Sequence, residues 1–404
     1  MNSPALTRIL VTLCVTEIIS YGVLYYAFAV LAPAIARDTG WSGVAIATAF
    51  SVGSLTGAVV GIPVGRALQR YGPRPTMTVG SLIGGAGIAL VAIAPTTPTF
   101  LAAWVIVGIG TTGLFYSPAF GALTGWFGAK RVAAITTLTL AAGFASTIFA
   151  PLTSTLDGWL GWRSTYLLLA SLVLIVTLPA HFFGLRGPWP RSVHHAVRRD
   201  REILGSRAFI LLTTAGTLTS LVSYASLVGL PVLLIGRGVS PALAAWAVGL
   251  SGAGQVVGRA IYPLLNRRLE PRSRTASIIG LLAACLAAQA LISSPVWLML
   301  TIAILTGSAR GLFTLVNATF IADLWGPERY ASVSGVYNAP VAAAGAIAPA
   351  IGAGVAVLVG GYPPLFIGLA GIGLIAAATA ALAGQPQTSI ASLPLEEQKL
   401  QDRS

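Results

Sequence analysis

Three ionisable side chains stand in the interior of long apolar stretches: Glu17, Arg259 and Arg310. A charge at the centre of a bilayer costs roughly 2.5–3.5 kcal/mol on insertion scales, so such residues face a wet cavity and serve function, or are held by a partner. Glu17 lies nine residues past Arg8, about 13 Å along a helix that rises 1.5 Å per residue. Helical spacing puts it on one face with Tyr21, Tyr25 and Phe28, a carboxyl leading a stripe of rings and hydroxyls. That pattern suits a proton site or a counter-charge for cations, and also a structural partner for an arginine. Arg310 shares a face with Thr314 and Asn317. Its planar fork matches a carboxylate or other oxyanion; the alternative is permanent bonding to helix carbonyls or to Glu17. Arg259, nine residues before Arg268, has the same two readings. Hydroxyls recur at Thr111, Thr112 and Tyr116, and on one face at Thr213, Thr217, Ser220 and Tyr224, although single Ser and Thr residues also glue membrane helices together. The candidate substrate-binding set is therefore Arg310, Tyr21, Tyr25, Thr112, Tyr116, Tyr224 and Asn317, with Glu17 and Arg259 as coupling or charge-pair residues.

The elements that must position these side chains follow from composition. Of 404 residues, 55% are hydrophobic and 9% charged, against roughly a quarter charged in a soluble domain. A span needs about 20 mostly apolar residues. Stretches that qualify lie at 9–35, 43–66, 75–95, 98–123, 131–156, 164–184, 208–235, 241–266, 275–293, 296–322, 330–358 and 362–384. Lipid leaves unpaired backbone groups unsatisfied, so the spans must be helices or a closed barrel; runs this long are not the short alternating strands of a barrel. The expectation is an all-α membrane protein with twelve transmembrane helices. Lys and Arg are split 20 to 3 between the two sides, with Arg310 left inside a span, which places both termini in the cytoplasm. Trp41, Trp126, Trp159, Trp162 and Trp325 fall at segment ends, where interfacial anchors belong. The net charge of +13 comes from these short loops and forms no basic, aromatic-interleaved face for nucleic acid.

The longest loop, 185–207, contains Pro188, Pro190 and a basic run, and separates six spans (1–184) from six (208–384), with a tail at 385–404. His194 and His195 in that loop read as solvated residues, since two adjacent histidines make a weak metal signal. His181 reads as interfacial, and Cys14 and Cys285 as small apolar-segment residues outside any disulfide framework. The halves match at an offset of 198: Gly113-Leu114-Phe115 recurs as Gly311-Leu312-Phe313, Ala150-Pro151 as Ala348-Pro349, and Pro33 and Ser42 as Pro231 and Ser240. Two parallel six-span halves are the plan of an alternating-access carrier with its site between them.

The segment from Gly61 to Arg74 reads GIPVGRALQRYGPR. It resembles the major facilitator signature between helices two and three, G-x-x-x-G-x-x-x-D-R-x-G-x-R, at Gly65, Arg70, Gly72 and Arg74; Gln69 stands where the family has Asp, so the charge pairing that latches the family's cytoplasmic gate is altered. The wider pattern resembles the bacterial branch near the monocarboxylate and oxalate–formate carriers, through Tyr21-Gly22, Tyr25-Tyr26 and Phe28, Gly161-Trp162-Arg163, and Gly258-Arg259. In monocarboxylate carriers an acid precedes the helix-eight arginine by one turn; here that position is Gln255. The resemblance implies the major facilitator fold, two pseudo-symmetric six-helix bundles with helices one, four, seven and ten lining the cavity. It also likens Ala150-Pro151 and Ala348-Pro349 to the family's Gly-Pro kink.

No phosphate-cradling Gly-Lys-Ser/Thr loop, no His-Glu-x-x-His and no intramembrane Cys-His cluster is present, so an enzyme, a metal or a cofactor is not expected. The reading is a monomeric secondary transporter in the inner (plasma) membrane, driven by an ion gradient. Its partners are the lipid bilayer and a small-molecule substrate, a small organic anion, with H+ as the candidate coupling ion. Drug or xenobiotic efflux is one rival, and a non-transporting membrane sensor another.

Overall fold

The computed structural model describes residues 3–189, 201–325 and 330–383, which are helical almost throughout. Ten helical stretches are long and apolar enough to cross a membrane. One of them, Ala133–Gly184, would run about 78 Å at 1.5 Å per residue. It turns back at Gly161, whose φ of +73° suits a residue without a Cβ, and so makes two spans. Pro241–Arg268, long but carrying Arg259, Arg267 and Arg268, completes twelve. In chain order they are α1 Pro4–Thr39, α2 Gly43–Tyr71, α3 Pro73–Ile93, α4 Thr97–Phe127, α5 and α6 on either side of Gly161, α7 Arg207–Ile235, α8 Pro241–Arg268, α9 Pro271–Leu291, α10 Val296–Trp325, α11 Tyr330–Leu358 and α12 Tyr362–Leu382. The outward surface is apolar, with Val59, Ile62, Ile175, Leu374 and Ile375 all more than half exposed. This is a multi-pass membrane protein.

Packing repeats the sequence duplication. In the first half α1 packs on α5, α2 on α4 and α3 on α6; in the second, α7 packs on α11, α8 on α10 and α9 on α12. Small residues allow the close approaches on which these pairs depend. A Cβ on Gly108 would lie 1.9 Å from the Gly53 carbonyl oxygen, and one on Gly307 would lie 1.8 Å from that of Ser251, so α2–α4 and α8–α10 meet backbone to backbone.

The first and last described residues, Ser3 and Ala383, lie on the face that carries the described basic loops α2–α3 and α8–α9. There the apolar clusters belong to one half each: Ile9, Leu13, Met77, Ala122 and Leu138 in the first, Phe209, Ile279, Val316, Phe320 and Val333 in the second. At the opposite face one cluster joins the halves, with Ala150 beside Leu227, Leu230 and Val248, and Tyr25, Tyr26 and Val30 packed against it. The Ala350 N–H donates to Ser51 Oγ, 3.1 Å, and Thr147 Oγ1 donates to the Gly249 carbonyl, 3.0 Å, tying α11 to α2 and α5 to α8. The halves are thus joined away from the basic face.

Three local features depart from the sequence reading. Trp162 is not an interfacial anchor: it is 4% exposed, and its indole donates to Asp38 Oδ2 at 2.8 Å, fastening the α6 start to the α1 end. His181 is not interfacial either; it is buried between α3 and α6, with Nδ1 2.8 Å from Ser81 Oγ and 3.2 Å from the Met77 carbonyl. The expected helix at 98–123 is broken, since α4 leaves the helical path between Thr111 and Tyr116.

Candidate functional site

The site lies where α1 and α4 of the first half face α7, α8 and α10 of the second. A π turn, Gly22–Tyr26, sits in the middle of α1. One extra residue in the turn shifts the register beyond it, so the face that begins with Glu17 and Tyr21 continues through both Tyr25 and Tyr26. Phe28, which a regular helix would keep on that face, swings into the core, fully buried and stacked on Phe50 at 4.2 Å.

Glu17 is fully buried, and neither carboxyl oxygen has a hydrogen-bond partner. Cys14, Tyr21 and Tyr116 lie within its electrostatic reach. Tyr21 stacks on Phe115 at 4.2 Å and meets Tyr116 at 4.8 Å. The break in α4 allows this: Phe115 is extended (φ −96°, ψ −174°) and the helix restarts at Tyr116, so two successive rings reach one partner.

Arg259 and Arg310 are 7% and 8% exposed. Arg259 donates to the Thr139 carbonyl across the α5–α8 seam and lies within electrostatic reach of Tyr116. Arg310 donates to Ser251 Oγ on α8, which the close approach at Gly307 brings alongside. Tyr25, Tyr26 and Tyr224 lie within its electrostatic reach, and Tyr25 meets Tyr224 edge to face at 5.9 Å. Each guanidinium keeps an Nε with no partner. Among the described residues, no carboxylate pairs with either arginine, so Glu17 is not the permanent partner of Arg310 that one reading of the sequence allowed. A buried cation without a counter-ion is costly to hold, and such a pair of forks is suited to an incoming anion.

The structure therefore brings together Glu17, Tyr21, Tyr25, Tyr116, Tyr224, Arg259 and Arg310. Two further expected members each have a polar atom already engaged. The Thr112 hydroxyl donates to the Ile109 carbonyl of its own helix at 2.6 Å, and Asn317 Oδ1 accepts from the Tyr337 hydroxyl on α11. Sequence reasoning missed Tyr26, Phe115, Ser251 and Thr139. The π turn and the helix break that recruit the first two leave no mark in residue periodicity, and the other two contribute through unremarkable polar atoms.

On the basic face lies the turn between α2 and α3 that carries the signature residues. Gly72 has φ +85°, and the Trp189 ring packs against Gly72 and Gly125 while its indole donates to the Gln69 carbonyl at 3.0 Å. Arg74 Nε donates to the Phe182 carbonyl at 2.8 Å, Arg70 lies over the Tyr71 ring, and Gly65 has open space around it. Toward the opposite face a mainly apolar cavity of about 410 Å³ opens between α1, α2, α7 and α11, with Phe28 and Ile46 on one wall and Val228 and Ala353 on the other. Among the described residues no cluster of three His, Cys, Asp or Glu stands ready for a metal. His194, His195 and the 385–404 tail lie outside the described residues.

The sequence model of the Major Facilitator Superfamily matches residues 13–294 and 212–401. The chain belongs to that superfamily. Its fold agrees: a bacterial homologue of the human lysosomal transporter Spinster, in an inward-facing conformation, superposes with a TM-score of 0.75 at 16% identity, covering 95% of this chain and 98% of that one. Human monocarboxylate transporter 11 is 28% identical over 257 residues, 61% of this chain and 52% of that protein, so the chain spans about half of this relative's length. Rat monocarboxylate transporter 13 is 25% identical over 303 residues, 70% and 69%. A chloramphenicol resistance protein of Streptomyces lividans is 28% identical over 267 residues, 63% and 66%.

Proposed function

We propose that the protein carries a small organic anion by alternating access, exchanging a proton at Glu17, in the plasma membrane with both chain ends cytoplasmic. The two bodies that rock are residues 1–184 and 208–384, joined by the 185–207 linker, and a single chain makes the working unit. One observation carries the reading: two guanidiniums and a carboxyl, each less than a tenth exposed and none ion-paired among the described residues, converge from both halves on one ring-lined site. Arg259 and Arg310 receive the anion's oxygens, the tyrosine hydroxyls of Tyr25, Tyr26, Tyr116 and Tyr224 complete its hydrogen bonds, and the segregated clusters on the basic face leave that side free to admit it. The names of the monocarboxylate transporter relatives support the same class of cargo.

Efflux of an uncharged or cationic drug is the second reading, supported by the chloramphenicol resistance relative and the density of rings. Proteoliposome flux separates the two. The anion reading expects saturable uptake of radiolabelled carboxylates that is lost in Arg310→Ala and reduced to gradient-insensitive exchange in Glu17→Gln. Chloramphenicol transport with no carboxylate flux in the same vesicles would replace it with the efflux reading.

A further inference from the structure

We propose that the anion has a flat aromatic body: an arylcarboxylate, lying across the seam with its ring on the first half and its carboxylate on the second. The inference rests on the anion reading and narrows it. The two walls of the site differ in chemistry. The first-half wall is a row of rings in which Phe115 stacks on Tyr21, Tyr21 meets Tyr116, and Tyr116 stacks on Phe120 at 5.0 Å with an interplanar angle of 13°. All four are only partly buried. The second-half wall holds Arg259 and Arg310, each with one nitrogen free of partners.

A short aliphatic acid would satisfy the guanidiniums and leave the ring row facing water. A ligand with an anionic end and a ring at the other meets both walls at once, and Tyr116, within electrostatic reach of Arg259, marks where they join. Aromatic rings gain from stacked and edge contacts beyond the area they cover. The local backbone is built for the row, since the break in α4 places Phe115 and Tyr116 together against Tyr21.

The test is ligand-induced thermal stabilisation of the purified full-length chain, titrated to dissociation constants with benzoate, phenylacetate, acetate, lactate and benzylamine. The expected result is binding of the two arylcarboxylates at least about tenfold tighter than acetate or lactate. Phe120→Leu and Phe115→Leu, which keep an apolar side chain, should weaken arylcarboxylate binding several-fold more than acetate binding. Acetate or lactate binding as tightly as benzoate overturns the inference while leaving the anion reading in place. Benzylamine binding with no carboxylate binding overturns both. The wild-type ratios decide the matter even where a variant fails to fold.

Discussion

Replacing Arg310 by Gln keeps a polar side chain and removes the positive charge. Hydrogen bonds to a charged group contribute about 1.5–3 kcal/mol, so anion affinity should fall roughly 10- to 150-fold at 1.4 kcal/mol per decade. Two controls fix the meaning of that loss. Ser251→Ala removes the oxygen that orients the guanidinium and should weaken binding by roughly 2- to 12-fold, the equivalent of about 0.5–1.5 kcal/mol. Thr112→Val should leave affinity within about twofold, because the hydroxyl it removes is already bonded to the Ile109 carbonyl. The assay is carboxylate titration of purified protein by thermal shift, with fluxes measured in parallel. If Arg310→Gln folded with an unchanged melting temperature and bound anions like wild type, the guanidinium would be a structural group bonded within its own half, and the reasoning would be refuted.

Three more substitutions probe the positions that hold the site. Tyr26→Phe should cost roughly 2- to 12-fold in anion affinity with little change in melting temperature, since its hydroxyl lies beside Arg310 in a partly open position. Gly307→Val should destabilise the fold by about 1–3 kcal/mol and weaken anion binding as well, because a Cβ there meets the Ser251 carbonyl at 1.8 Å and pushes α8 from α10; thermal unfolding and ligand titration read the two effects. Trp162→Phe should lower the melting temperature through loss of a hydrogen bond to the Asp38 carboxylate, about 1.5–3 kcal/mol, while ligand affinity stays at the wild-type level because Trp162 lies away from the site rings.

The twelve spans were legible because crossing a hydrocarbon layer sets a length and an apolarity that no short element meets, and the 198-residue offset anticipated the matched pairs α2–α4 and α8–α10. Glu17, Arg259 and Arg310 stood out for the same reason: in so apolar a chain a buried charge is conspicuous. What was not legible depends on departures from regular helix geometry. Periodicity kept Phe28 beside Tyr25, whereas the π turn sends it into the core and admits Tyr26. The break before Tyr116 recruits Phe115. Thr112 and Asn317 lie at the right spacing, yet their polar atoms are taken by Ile109 and Tyr337, and spacing carries no information about which neighbour claims a hydroxyl. Trp162 and His181 have the types of interfacial residues, and only the packing of α6 against α1 and α3 shows them to be internal.

The central claim is that Glu17, buried and without a partner, couples proton movement to anion movement through the site it shares with the two arginines. The most direct measurement is carboxylate uptake into proteoliposomes with and without an imposed pH gradient, for wild type and Glu17→Gln. The account predicts that the gradient accelerates or drives accumulation by wild type, and that Glu17→Gln exchanges the anion at equilibrium but no longer responds to the gradient. A Glu17→Gln protein that accumulates substrate in response to the gradient as wild type does would contradict it.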